Sequence, residues 1–173
     1  MTRVTKLALL IAAATAATPA FAQDSGIQPY VGISGGYHDI GDVAGIDVDG
    51  AIGGVYAGVD FPVGTNLVIG VEGNFHLGTN SIDNEYGVAG RLGYRFASGG
   101  LAYVRGGYQE VDFDLEDIVG VPVGGVEDSD GDYIVGVGGE FPLGNGGRTR
   151  LRVGIDTISF DTVRPTVGVS FGF

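Results

Sequence analysis

The chain contains no cysteine, so no disulfide can hold its fold even in an oxidising compartment. Beyond residue 22 it has no apolar run approaching the roughly 18 to 20 residues that a membrane-crossing helix needs. If it enters a bilayer it must do so with strands, the other structure that satisfies its own backbone polar groups in lipid. Lysine is absent after Lys6, which leaves seven arginines as the only cations from there on. Against them stand 21 acids and a formal charge of −12, a balance that repels nucleic acid and acidic polysaccharide.

What the chain has in abundance is glycine. All 34 glycines lie beyond residue 22, and at that density each would cost a helix about 1 kcal/mol. Between them Val, Ile, Leu, Phe and Tyr recur at every second position, which argues against disorder and for strands. The alternation predicts eight strands, at about 30–38, 51–61, 67–77, 86–96, 101–110, 133–141, 149–157 and 166–173. Each offers one face without charge. On the last strand that face is Val167, Val169, Phe171 and Phe173, opposite the small residues Thr166, Gly168, Ser170 and Gly172.

Aromatic residues orient the set. Phe61, Phe96, Phe141 and Phe173 fall at one rim, and Tyr37, Phe75, Tyr86, Tyr108 and Tyr133 at the other. Two such girdles around an apolar band are what the two membrane interfaces favour. Connections at the first rim are short (62–66, 97–100, 142–148); those at the second are longer (39–50, 78–85, 111–132, 158–165). Short periplasmic turns and longer external loops form the outer-membrane pattern. The phrase Val55-Tyr-Ala-Gly-Val-Asp-Phe-Pro-Val-Gly64 is echoed by Val135-Gly-Val-Gly-Gly-Glu-Phe-Pro-Leu-Gly144, either as a duplication or because two equivalent strand ends need the same rim aromatic and turn.

The N-terminus supplies a route. Arg3 and Lys6 precede an apolar run over 7–14, and Ala20-Phe21-Ala22 has the form of a secretory cleavage site, so 1–22 reads as a cleaved signal peptide and 23–173 as the mature domain. Loss of Arg3 and Lys6 takes the net charge from −12 to −14.

Together, the leader, the Gly-Tyr pairs at Gly36-Tyr37, Gly93-Tyr94 and Gly107-Tyr108, the segments Leu67-Val-Ile-Gly-Val-Glu-Gly73 and Arg91-Leu-Gly-Tyr-Arg-Phe96, and the terminal Phe173 resemble the small barrels of the outer-membrane protein A and opacity-protein superfamily of porin-like surface antigens. The resemblance implies an all-β fold, an eight-stranded antiparallel up-and-down transmembrane β-barrel, monomeric in the outer membrane of a Gram-negative bacterium. It also implies contact with outer-membrane lipid and with the barrel-assembly machinery, for which the outward residues Val167, Val169, Phe171 and Phe173 are the expected assembly signal.

Charge sorts between the loops and the inward faces. Sixteen of the 21 acids lie in or beside the proposed external loops, nine of them from Glu110 to Asp132, with Arg164 the one cation read as opposing them outside. Such loops would attract cations or basic surface partners. Asp128-Ser-Asp-Gly-Asp132 spaces carboxylates as hard-cation loops do, but Tyr133 and Gly139 stand where an EF-hand needs glycine and a bidentate acid, so a solvated acidic loop is the preferred reading and no metal or cofactor is assigned. Asp60, Glu72, Arg91, Arg95, Arg105, Glu140, Arg150, Arg152 and Asp156 share the faces opposite the apolar ones. In a lumen that narrow they are expected to form a mixed-sign network that holds and occludes the barrel, the alternative being a gated polar pathway.

Enzymatic readings rest on two histidines. His76 has Ser81, Asp83 and Glu85 near it in sequence, and His38 has Ser34 and Asp39; inward rim histidines donating to loop acids are preferred over a triad. The expected function is therefore a non-enzymatic structural or surface-interaction barrel. The runner-up is a narrow porin-like channel for small or hydrophobic solutes, and a lipid-modifying enzyme comes third.

Overall fold

The computed structural model describes residues 26–43, 46–79, 82–113, 128–144 and 146–173. The expected leader at 1–22 lies outside them, as does most of the acidic loop; of the candidate cation motif the backbone is described throughout, but of its acidic side chains only Asp132. Side chains at 40–49, 82–83 and 112–130, which include Asp42, Asp47, Asp49 and Asp83, are outside them too.

Eight strands follow in chain order: β1 (Gln28–Val43), β2 (Ile46–Val63), β3 (Leu67–Gly78), β4 (Ile82–Arg95), β5 (Leu101–Phe113), β6 (Asp128–Pro142), β7 (Thr149–Ile158) and β8 (Arg164–Gly172). Every strand pairs antiparallel with its sequence neighbours, and β8 returns to β1 through Val31↔Phe171 and Ile33↔Val169, so the sheet closes into a barrel with no free edge. At the short-turn rim the backbone is finished by Phe96 N to Gly100 O at 2.8 Å and Leu143 N to Thr149 O at 2.8 Å.

The strands outrun the expected ones at the end with the longer connections. β1 and β2 remain paired to Val43↔Ile46 through a bulge between Asp39 and Gly41, so 39–43 and 46–50 form a hairpin stem. β5 and β6 pair out to Phe113↔Asp128, as expected from the alternation of Val111 and Phe113 with Asp112, which continues the fifth strand as a hairpin stem. The physical reason is that an antiparallel ladder satisfies its own backbone groups whether lipid or water surrounds it. A strand boundary drawn where acids begin marks where the apolar face stops, not the end of pairing.

Outward side chains form the expected apolar band: Val71, Val88, Leu92, Val104, Val137 and Val167 are all about half exposed, between the inner Phe and outer Tyr girdles. Inward positions are tight because large side chains alternate with glycine across strands. Gly32 stands opposite Tyr56, Gly58 opposite Tyr30, and Gly138 opposite Tyr103. A methyl group at any of the three would overlap the facing ring.

Candidate functional site in the barrel lumen

The strand period that builds the outer band also aims a second set of side chains at the axis, where they stack in layers. Nearest the short-turn end, Arg91 of β4 clamps Asp60 of β2, with Nε to Oδ1 at 2.8 Å and Nη2 to Oδ2 at 2.5 Å. Its Nη1 donates across the lumen to Glu140 of β6 at 2.7 Å, and Arg150 of β7 reaches the other Glu140 oxygen at 3.2 Å. Arg95 is apart from these pairs: its described partner is the neutral Gln28 Oε1, at 2.7 Å.

Glu72 of β3 is the central node. It accepts from Arg105 Nη1 of β5 at 2.9 Å, from both terminal nitrogens of Arg152 of β7, and from the Tyr30 hydroxyl of β1 at 2.8 Å. Four strands thus meet on one carboxylate that is 3% exposed. Guanidinium planes finish the layer over aromatic faces, Arg152 over Tyr56 at 4.5 Å and Arg91 over Tyr30 at 4.4 Å. The Tyr103 hydroxyl accepts from Arg152 Nε at 2.6 Å. These three tyrosines escaped the sequence reading, although each shares the parity of an inward charge on its own strand or faces an inward glycine.

The next layer corrects the sequence reading twice. Arg164, expected outside, is 1% exposed and inside the barrel, where it donates to Glu85 and, at 3.2 Å, to Asp156 Oδ2. Glu85, counted with the second loop, is fully buried. Asp156 is shared with Arg105, Nε to Oδ1 at 2.8 Å. Both residues keep the inward parity of their strands, 85 with 89 and 91, 164 with 168 and 170; extending the strands would have found them. Burying two more opposite charges is feasible only because each neutralises the other.

The histidines exchange their expected partners. His38 Nδ1 lies 3.0 Å from Glu85 Oε1, while Ser34 Oγ lies 2.8 Å from His76 Nε2, and Asn74 Nδ2 is 3.3 Å from His76 Nδ1. A serine, a histidine and an amide in series have the parts of a nucleophile with its base. The adjoining cavity, however, is only about 20 Å³, enough for one water and not for a substrate.

Beside these groups, Ile52, Val111, Ile134 and Ile158 from four strands form a buried apolar cluster, with Val111 in register with Glu85. Beyond it Asp132 accepts from the Ser159 hydroxyl and, at 2.6 Å, from the Tyr133 backbone N–H. Those two bonds hold its carboxyl below the usual range.

A closed eight-stranded sheet, apolar outside and charged inside, is a membrane architecture. A family model described as outer membrane protein beta-barrel domain matches residues 8–173. The chain belongs to that family. It is an outer-membrane β-barrel of a Gram-negative bacterium. Among solved structures, it is similar to Ail, the attachment invasion locus protein of Yersinia pestis, in complex with the heparin analogue sucrose octasulfate: TM-score 0.56 and 14% identity over 85% of this chain and 97% of that one. Neisserial surface protein A is similar at TM-score 0.54 and 15% identity, over 86% of this chain and 98% of that one. At such identity the likeness carries the fold. No curated protein sequence matches the chain.

Proposed function

We propose that this barrel is a non-enzymatic structural and surface-interaction protein of the outer membrane, its lumen closed and its external end a negatively charged platform. The observation that carries the closed reading is the Glu72 node: groups from β1, β3, β5 and β7 converge on one buried carboxylate, so a continuous water path would have to part several charge-assisted bonds at once. The buried apolar cluster of Ile52, Val111, Ile134 and Ile158 adds to the filling of the lumen.

The platform reading rests on the acids concentrated in the external segments. It favours cations and basic protein surfaces and disfavours polyanions such as the sucrose octasulfate bound by Ail. Membrane lipid and the assembly machinery are the other partners, and the barrel acts as a monomer. Ser34, His76 and Asn74 serve as hydrogen-bonded lumen filling, in keeping with the small cavity beside them.

Planar-bilayer recording of the purified barrel, with and without divalent ions, tests the closed lumen. Absence of stable unitary currents is expected. Reproducible single-channel steps in the wild type would overturn it in favour of a narrow channel.

A further inference from the structure

The lumen is not uniformly filled. Below the Arg91 clamp it widens into a basin of about 310 Å³ that opens at the periplasmic end and stops against the charged layers. Arg95, Arg148 and Arg150 line it, and Asp60 and Glu140 are the acidic side chains on its wall. Those two acids are already engaged: Asp60 by two nitrogens of Arg91, and Glu140 by Arg91 and Arg150. Arg95 is left with the neutral Gln28 amide, and Arg148 has no side-chain ion pair among the described residues. The turns 62–66, 97–100 and 142–148 carry no acid. Among the described residues, even with a terminal carboxylate counted at Phe173, four guanidiniums face three carboxylates here.

Arg148 is exposed at the mouth, but Arg95 and Arg150 are half-buried, where an excess of positive charge is costly without an anion. Arg95 feels the like charge of Arg150 beside it, and neither can move far, since Arg95 is fixed on β4 and Arg150 is tied to the Gly147 carbonyl at 3.3 Å as well as to Glu140. Planar, partly desolvated guanidiniums with free N–H edges match oxyanions in paired hydrogen bonds.

We propose that the periplasmic mouth of the barrel is a binding site for a small oxyanion, a phosphate or carboxylate group on a molecule small enough for the basin, held by Arg95, Arg148 and Arg150. It is a dead-end site, independent of whether the centre conducts. External acids and periplasmic cations then give the two ends of one barrel opposite selectivity.

Calorimetric titration of the detergent-solubilised barrel at low ionic strength, with inorganic phosphate in one arm and succinate in the other, tests it. Saturable binding in at least one arm is expected, weakened about tenfold or more in Arg95→Gln/Arg148→Gln and unchanged in Glu110→Gln, which changes a side chain near the opposite rim. The stronger arm identifies a phosphate-bearing or a carboxylate-bearing source. Heat-modified gel migration of the double variant checks that it folds, and the Arg95→Gln single variant, which loses only the Gln28 bond, supplies the comparison if it does not. No saturable heat in either arm with wild type, or equal affinity in wild type and a folded variant, overturns the site.

Discussion

Replacing Glu72 with methionine tests the energetic logic of the lumen most directly. The substitution keeps much of the volume and removes the charge. Arg105 retains Asp156, but Arg152 loses its one acidic partner among the described residues, and the Tyr30 hydroxyl loses its acceptor. Removing one member of a buried pair strands the other as an uncompensated charge, at a cost of about 3 to 5 kcal/mol. That shifts the folding equilibrium by about two to four powers of ten. Replacing both members with apolar groups of similar size removes the stranded charge, so Glu72→Met/Arg152→Met should be more stable than Glu72→Met alone by about 2 kcal/mol or more. Equilibrium urea unfolding in lipid vesicles, followed by circular dichroism, gives all three values. Asp161→Asn, an exposed charge on the last external connection, is the control and should stay within about 0.5 kcal/mol of wild type. The reasoning is refuted if Glu72→Met unfolds with the control, or if the double variant is no more stable than the single.

Three further outcomes are expected. Gly58→Val should destabilise by about 1 to 3 kcal/mol in the same assay, because its side chain meets the Tyr30 ring that Glu72 holds in place, while Gly53→Ala, where an added methyl meets nothing, should be near neutral. Phe160→Gly should stabilise the β7–β8 turn by about 1 kcal/mol: Ser159 and Phe160 both have positive φ, 55° and 65°, under the Ile158 O to Asp161 N hydrogen bond, and the exposed Phe160 ring loses little on removal. Ser159→Ala should raise the Asp132 pKa toward the ordinary range; since the folded value is depressed, the Ser159 bond adds stability above the usual carboxylate pKa and loses it as pH falls through the folded one, which carboxyl NMR titration of both proteins reads directly. An unmoved titration would mean that the bond does not form in solution.

Deleting Phe173 should leave secretion intact and cause periplasmic accumulation or degradation, the outcome expected if the outward Val167, Val169, Phe171 and Phe173 are read during assembly. Fractionated cells probed for the barrel measure it, and unchanged outer-membrane yield would remove the idea.

Period-two alternation by itself determined that this chain makes strands, which side of each faces lipid, and which rim carries phenylalanine or tyrosine. These are local consequences of a pleated backbone, fixed by residues two apart. It also put Asp60, Glu72, Arg91, Arg105, Glu140, Arg152 and Asp156 on the inward faces, because a lipid-facing charge is costly. Parity does not say which cation meets which acid. Arg91 reaches Glu140 across 49 residues and Arg152 reaches Glu72 across 80, and those meetings depend on strand stagger and on β8 closing against β1. Glu85 and Arg164 looked like loop charges because strand ends were drawn where charge begins. Only the closed barrel, by bringing them within reach of each other and of Asp156, made their burial affordable in electrostatic terms. The same closure decided where the lumen fills and where it stays open: the large side chains crowd the centre opposite glycines, while the short turns leave the arginine-lined basin beneath them.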